Sequence, residues 1–276
     1  MQTITQILLG LLLSGLIGYA GYRRGSLSKS GVLGAMLVGT AIFGFGGWAW
    51  GILLIVFFVS SSALSHFKAA RKEPLAEKFS KGSQRDLAQA LANGGAGALI
   101  AVANFLWPHP LWWAAFVGAM ATVNADTWAT ELGVLSKTRP RLVVNGKLVE
   151  VGTSGGITLD GTLAALAGSA LVSLVAVAFT PTFSFSLSFS FFLFSSLSGL
   201  LGSLFDSFLG ATVQAIYFCD NCHKETERHP THTCGHPTRL IRGWRWLDND
   251  WVNFVSSGVG GWLLVVGGWW LVAGSW

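Results

Sequence analysis

The sequence predicts an all-α, polytopic membrane protein of about eight transmembrane helices, and three observations carry that reading. Hydrophobic residues fill 51% of the 276 positions, only 11% are charged, and the apolar runs repeatedly reach the roughly 20 residues that a helix needs to cross a bilayer core. The spans expected between charge clusters are 4–22, 31–47, 48–66, 88–106, 110–134, 155–180, 188–216 and 252–275. They form one domain, 1–276, with a cysteine- and histidine-containing loop at 217–249.

Each span has its own justification. Met1 to Leu13 carries no Lys or Arg, and Arg23 and Arg24 follow the apolar run rather than precede it, so the first span is read as a helix and not a signal peptide. "GFGG", Gly44 to Gly47, serves as the turn between the second and third spans. "TFSFSLSFSFFLFSSLS" has strand-like composition, but an unpaired strand in lipid leaves its backbone groups unsatisfied; it is read as a turn and the early seventh span. Trp48, Trp107, Trp112, Trp113, Trp269 and Trp276 gather near the uncharged face, as an interfacial belt does.

Charge placement sets the orientation. Arg23, Arg24 and Lys29, then Lys68 to Arg85, Lys137 to Lys147 and Lys224 to Arg245, all fall on one side of an eight-span chain, while "GFGG", "LWPHP" and "TPTFSFS" contain no basic residue. The positive-inside rule makes the basic loops cytoplasmic, or stromal in a plastid, with both termini on the opposite side. The formal net charge of +5 is thereby assigned to orientation and anion holding, and no nucleic acid partner is expected.

Against that topology the intramembrane acids are unusual. Asp126 and Glu131 lie in the last third of the fifth span, Asp160 in the first turns of the sixth, and Asp206 about ten residues before the end of the seventh. All four fall within roughly 15 Å of the basic surface at 1.5 Å per residue. Ionisable groups inside a span cost about 2.5–3.5 kcal/mol each on insertion scales, so four in one leaflet imply a hydrated chamber open to the basic side. Asn124, Thr127 and Glu131 share one helical stripe, whereas Asp126 stands about 200° from Asn124, flanked by Thr122 and Thr130. Either the helix is interrupted near Ala125, or one stripe binds while the other packs.

Further polar groups lie at helix starts on the same side. Gly199, Gly202, Ser203, Asp206 and Gly210 make a small-residue face in the seventh span, where close packing accounts for the glycines and leaves Asp206 as a candidate Mg²⁺ ligand. "GTSGGITLDG", Gly152 to Gly161, offers backbone N–H groups suited to phosphate. "KGSQRD" puts Ser83 and Asp86 at capping-box spacing beside Lys81 and Arg85, and "RWLDNDWVN" brings Asp248 and Asp250 to the eighth span. Cys219, Cys222 and Cys234, with His232 the favoured fourth ligand among four nearby histidines, suit a structural Zn²⁺ on a reducing face. No P-loop, GxSxG or HExxH motif is present, and no internal repeat is evident.

Taken in order, "KGSQRDLAQALANGG", "NADTWATELG", "GTSGGITLDG", "GSLFDSFLGATVQ", the C-x-x-C loop and "WLDNDWVNF" resemble the integral-membrane family that contains transmembrane protein 19 and the phytyl-phosphate kinases of plants and cyanobacteria. The resemblance runs from about Gly31 to the last span. It implies phosphoryl transfer from a nucleoside triphosphate, CTP foremost, to an isoprenyl monophosphate such as phytyl phosphate, in phytol salvage and tocopherol biosynthesis. On that reading Asn124, Asp126 and Asp206, with Glu131 or Asp250 assisting, attend Mg²⁺. Lys68, Arg71, Lys72, Lys81, Ser83, Arg85, Asn93, Thr153, Ser154, Gly155, Gly156, Asp248, Asp250 and Asn253 hold the substrates. A lipid-linked cytidylyltransferase would use the same acids, and a membrane transporter is the third reading. The far half of the spans has no charged side chain, which weighs against ion-coupled transport.

Overall fold

The computed structural model describes residues 2–75, 77–82, 84–180 and 184–273, with the backbone alone for 2–3 and 268–273. Helix α1 runs Gln2–Arg23, and α2, Lys29–Ala41, continues as a five-residue π-helical stretch, Ile42–Gly46. Next come α3 (Trp48–His66), the short α4 (Ala69–Lys72), α5 (Leu87–Leu106), α6 (Pro110–Gly133), α7 (Leu159–Ala178), α8 (Phe185–Thr212) and α9 (Asn249–Ala273). The expected "GFGG" turn reduces to Gly47, whose φ of +90° is open to glycine and lets α3 start at once.

Six of these helical segments are long and apolar enough to cross a membrane: α1, α2 with its π stretch, α3, α5, α7 and α8. Helix α6, 24 residues, is also long but carries Asn124, Asp126 and Glu131, and α9 spans 25 residues, its side chains described as far as Gly267. The environment of α6 accounts for its polar groups. Every residue of α6 from Ala114 to Ala125 is buried, and α6 packs against α3, α5, α7, α8 and α9, so its polar groups meet protein rather than lipid. Close approach comes from small residues: a Cβ on Gly118 would sit 2.5 Å from the Gly260 carbonyl oxygen of α9, and one on Gly202 of α8 would sit 2.3 Å from Thr122 Oγ1. The small-residue face of α8 therefore lies on α6, as its sequence suggested.

Two span limits shift. The sixth helix begins at Leu159 rather than 155, because Gly152 and Gly155 take φ of +81° and Gly156–Ile157 pairs as strand β2 with Arg141–Leu142, β1. The seventh ends at Thr212 rather than 216, because Ile216–Cys219 forms β3, the central strand between β4 (Lys224–Thr226) and β5 (Arg239–Arg242). The 217–249 loop is thus largely a small antiparallel sheet.

The four basic connections meet at one end of the bundle. The Arg85 backbone pairs with Ser26 and Ser28, Lys78 Nζ donates to Glu150 Oε2 at 2.7 Å and to the Val151 carbonyl at 3.0 Å, and Lys224 Nζ to Glu77 Oε1 at 2.5 Å. Trp48, Trp107, Trp112 and Trp113 lie at the opposite end, at the starts and ends of α3, α5 and α6; the side chains of Trp269 and Trp276 lie outside the described residues.

Candidate active site

At the basic end the helices enclose a cavity of ≈ 1410 Å³, its mouth included. Ser65 of α3, Arg85, Gln89 and Asn93 around the start of α5, and Asp126 to Glu131 of α6 form part of its wall. The Gly152–Thr158 loop, Ser203 and Asp206 of α8, Glu227 after β4, and Asn249 and Asn253 of α9 complete it. Residues far apart in sequence meet here because the loops before α5 and α7, together with Glu227, gather at the C-terminal end of α6.

Three carboxylates reach the chamber in distinct settings. Asp206 is buried and the Ser256 hydroxyl of α9 faces its carboxylate, but among the described residues no hydrogen bond of full geometry reaches Oδ2. Ser203, one turn earlier on α8, donates to Asp126 Oδ1 at 3.4 Å, which puts the two acids on facing helices of the same wall. Glu131 is neutralised: Lys72 Nζ lies 2.5 Å from Oε2, and Ser65 Oγ donates to Oε1 at 2.6 Å. A buried carboxylate oxygen without a donor is costly unless a cation or hydrogen-bond donor completes it, so Asp206 is the feature of this wall that packing leaves unexplained.

A fourth carboxylate, Glu227, was not anticipated. Its Oε1 accepts from Gln214 Nε2 at 2.9 Å and its Oε2 from the Ser80 backbone N–H at 3.3 Å; burial pushes its pKa up against those donors. In the sequence it sits in "HKETERHP", which reads as a solvated charged run, and nothing local signals a partner 147 residues away. Asp160, by contrast, was expected inside. It is exposed at the start of α7, where Ser136 Oγ donates to it at 2.6 Å, because the later helix start leaves it at the surface.

The Gly-rich loop is docked against α8. A Cβ on Gly155 would lie 2.5 Å from the Ala211 backbone nitrogen, and Ser154 Oγ donates to Gln214 Oε1 at 3.0 Å. Thr158 caps α7, accepting from the Gly161 N–H at 3.0 Å. A second cavity of ≈ 910 Å³ shares Gly152 to Ser154 and Glu227 with the chamber, and Lys78, Arg139, His223 and Lys224 lie on its walls.

The ligand atoms of Cys219, Cys222, His232 and Cys234 all lie within 4.8 Å of one another, and the three thiols are free. Cys219 Sγ is 3.6 Å from Cys234 Sγ, itself 3.4 Å from His232 Nδ1; His232 Nε2 is buried without a partner among the described residues. Three sulfurs and an imidazole at this spacing could hold a tetrahedral Zn²⁺. Strand β4 beside the cluster is anchored by Thr226, whose Oγ1 donates to the Glu77 carbonyl at 2.9 Å.

Residues 12–261 match the family model described as integral membrane protein DUF92. The chain belongs to this family. Among its relatives, Protein PGR of Arabidopsis thaliana is 36% identical over 278 residues, covering 93% of this chain and 94% of that protein. Uncharacterized membrane protein MJ0933 of Methanocaldococcus jannaschii is 29% identical over 234 residues, 81% of this chain and 90% of that one. Protein VTE6, chloroplastic, of Arabidopsis thaliana is 26% identical over 245 residues, 85% of this chain and 63% of that one. No solved structure matches.

In this DUF92 chain the structure gathers Asp126, Glu131, Asp206, Arg85, Asn93, Thr153 to Gly156 and Asn253 around one chamber. Helix α6 is continuous past Ala125, and Asp126, Thr127, Thr130 and Glu131 all reach the cavity because it wraps around the helix end. Asn124 stands apart: fully buried, it donates to the Gly168 carbonyl at 2.7 Å and accepts from Ser60 and Ser61 at 3.0 and 3.3 Å, joining α3, α6 and α7. Lys81 pairs with Asp250 and, at 3.1 Å, with Asp86; burial works to lower its pKa, but the two carboxylates outweigh it and leave the ammonium above the ordinary lysine value. Asp86, not Ser83, caps α5 in a capping box with Gln89; Ser83 lies outside the described residues. Asp248 accepts the Trp251 N–H at 3.1 Å, and Lys68 and Arg71 are exposed around α4.

Proposed function

We propose that this chain is a Mg²⁺-dependent phosphotransferase that moves the γ-phosphoryl group of a nucleoside triphosphate, CTP foremost, onto an isoprenyl monophosphate such as phytyl phosphate. The observation that carries the reading is the unpartnered carboxylate oxygen of Asp206 in a chamber that also holds Asp126 and Glu227 and is faced by a Gly-rich loop. The similarity to Protein VTE6, chloroplastic, together with the motif resemblance to phytyl-phosphate kinases, supports the substrate class.

The residues divide the work. Asp126, Asp206 and Glu227 are hard oxygen donors suited to Mg²⁺, whereas Asp250 is held by Lys81 and Glu131 by Lys72. Mg²⁺ bound there would supply the charge neutralisation that lets two phosphates approach. Arg85, whose Nη1 donates to Ser62 Oγ at 3.1 Å, and the Thr153–Gly156 backbone orient phosphate oxygens. An acceptor phosphate oxygen attacks the γ-phosphorus, the bond from that phosphorus to the β–γ bridging oxygen breaks, and the nucleoside diphosphate leaves. The acceptor monophosphate is largely dianionic at pH 7, its second pKa being about 6, so no strong general base is needed.

The amphiphilic acceptor fits an interfacial chamber, with its tail in lipid and its head among the basic loops. We assign that end of the bundle to the cytoplasmic or stromal side, both termini to the other, and a structural Zn²⁺ to Cys219, Cys222, His232 and Cys234. The test is purified protein with labelled CTP and Mg²⁺ against phytyl, geranylgeranyl and farnesyl monophosphates. Isoprenyl diphosphate and CDP are expected. Pyrophosphate release would mark a cytidylyltransferase instead, and no transfer from any nucleoside triphosphate would refute the enzyme reading.

A further inference from the structure

Behind the chamber lies a third cavity, ≈ 710 Å³ with the open space at its mouth included, whose wall is almost wholly apolar. Ile17 of α1, Ala35 and Val38 of α2, Leu54 and Phe58 of α3 and Ala90 of α5 contribute to it. Three of its lining residues, Arg85, Gln89 and Asn93, also line the acidic chamber. They recur every fourth residue on one side of the start of α5, so one polar seam separates a hydrocarbon-lined space from a carboxylate-lined one. Arg85 sits on this seam with its guanidinium 5.8 Å from the centre of the Phe57 ring, and Phe57 belongs to the apolar wall.

We infer that the apolar cavity is the binding site for the isoprenyl chain of the acceptor, with its phosphate at Arg85, Gln89 and Asn93. This rests on the kinase reading for the identity of the head group, but the cavity makes its own demand. An occupant must be a hydrocarbon along its length and an anion at one end. A chain lodged between α1, α2 and α3 points its phosphate across the seam at the acids, so the cavity's depth sets the chain length accepted.

The test is photolabelling of the detergent-solubilised protein with a geranylgeranyl monophosphate bearing a diazirine at the chain end, mapped by mass spectrometry. Crosslinks are expected on residues 13–17, 35–39 and 54–58, competed by unlabelled geranylgeranyl monophosphate and not by geranylgeraniol. Ala35→Phe, which fills the cavity from a half-buried position, should lower labelling by the twenty-carbon probe at least tenfold while a ten-carbon probe still labels. Crosslinks confined to exposed positions such as Leu12, Leu33 and Leu37 would overturn the inference. So would a cavity filled by a co-purified phospholipid that excess monophosphate does not displace. The two readings fail separately: turnover with exterior labelling removes the tail site alone, and cavity labelling without transfer of phosphate removes the kinase alone.

Discussion

Asn124 is the residue whose role the structure redirects, and Asn124→Ala tests that directly. Three hydrogen bonds disappear, to Gly168, Ser60 and Ser61. Interhelical side-chain hydrogen bonds in membranes average about 0.6 kcal/mol, which makes about 2 kcal/mol for three. Ser60 keeps the Phe57 carbonyl at 3.3 Å, and Gly168 sits within the α7 ladder, but buried Ser61 Oγ loses the partner it has; an orphaned hydroxyl costs about 1–3 kcal/mol more. The sum, about 3–5 kcal/mol, corresponds to a melting temperature about 6–10 °C lower at about 2 °C per kcal/mol for a chain of this size. The assay is thermal unfolding in detergent with and without Mg²⁺. The variant should melt early and still be stabilised by Mg²⁺ to the wild-type extent. A variant that melts like wild type but no longer responds to Mg²⁺ would refute the reasoning and return Asn124 to the metal site.

Four further outcomes are expected. Asp206→Asn should fold and lose the Mg²⁺-dependent rise in melting temperature, which in the wild type amounts to about 2.7 kcal/mol at one hundred times the dissociation constant; an undiminished rise would remove Asp206 from the site. Gly155→Ala should cost about 2–5 kcal/mol, from about 1–2 for the left-handed backbone and about 1–3 for overlap with Ala211, whereas Gly146→Ala, at φ +68° with open space around it, should cost only the backbone share in the same denaturation assay. Glu227 has a folded pKa raised by burial, so the unfolded chain releases its proton first and stability falls as pH climbs from the ordinary glutamate value of 4.5 to the raised one. Glu227→Gln should flatten that decline in a pH series of melting curves. Stripping metal with a zinc-selective chelator, or Cys219→Ser, should expose the 217–242 segment to protease while the helices stay folded, since thiolate–imidazole sites contribute much of a small module's stability.

Much of the architecture was legible because lipid enforces simple rules. Long apolar runs must be helices, and the basic connections had to share a side, so both limits of six of the eight expected spans fell within a few residues of expectation. The Cys/His set was legible because its ligands lie close in sequence and their spacing is chemical. What could not be read was long-range. Glu227 reaches the chamber through Ser80 and Gln214, and Asn124 leaves it through Ser60, Ser61 and Gly168; neither contact has a local signature. Asp160 misled because its place depended on where α7 begins, which the positive φ of Gly155 and the β1–β2 pairing decide.

The modest hydropathy of α6 bears on how such chains should be threaded through a bilayer. If only the six most apolar segments crossed, the chain would lose one passage before α7, and the segment between α8 and α9 would emerge on the far leaflet from the start of α5. Lys81 and Asp250 would then be separated by the full thickness of the hydrocarbon, yet they are ion-paired. A single lysine–aspartate contact thus points to a crossing by α6, whose polar side chains have the surrounding protein for their solvent.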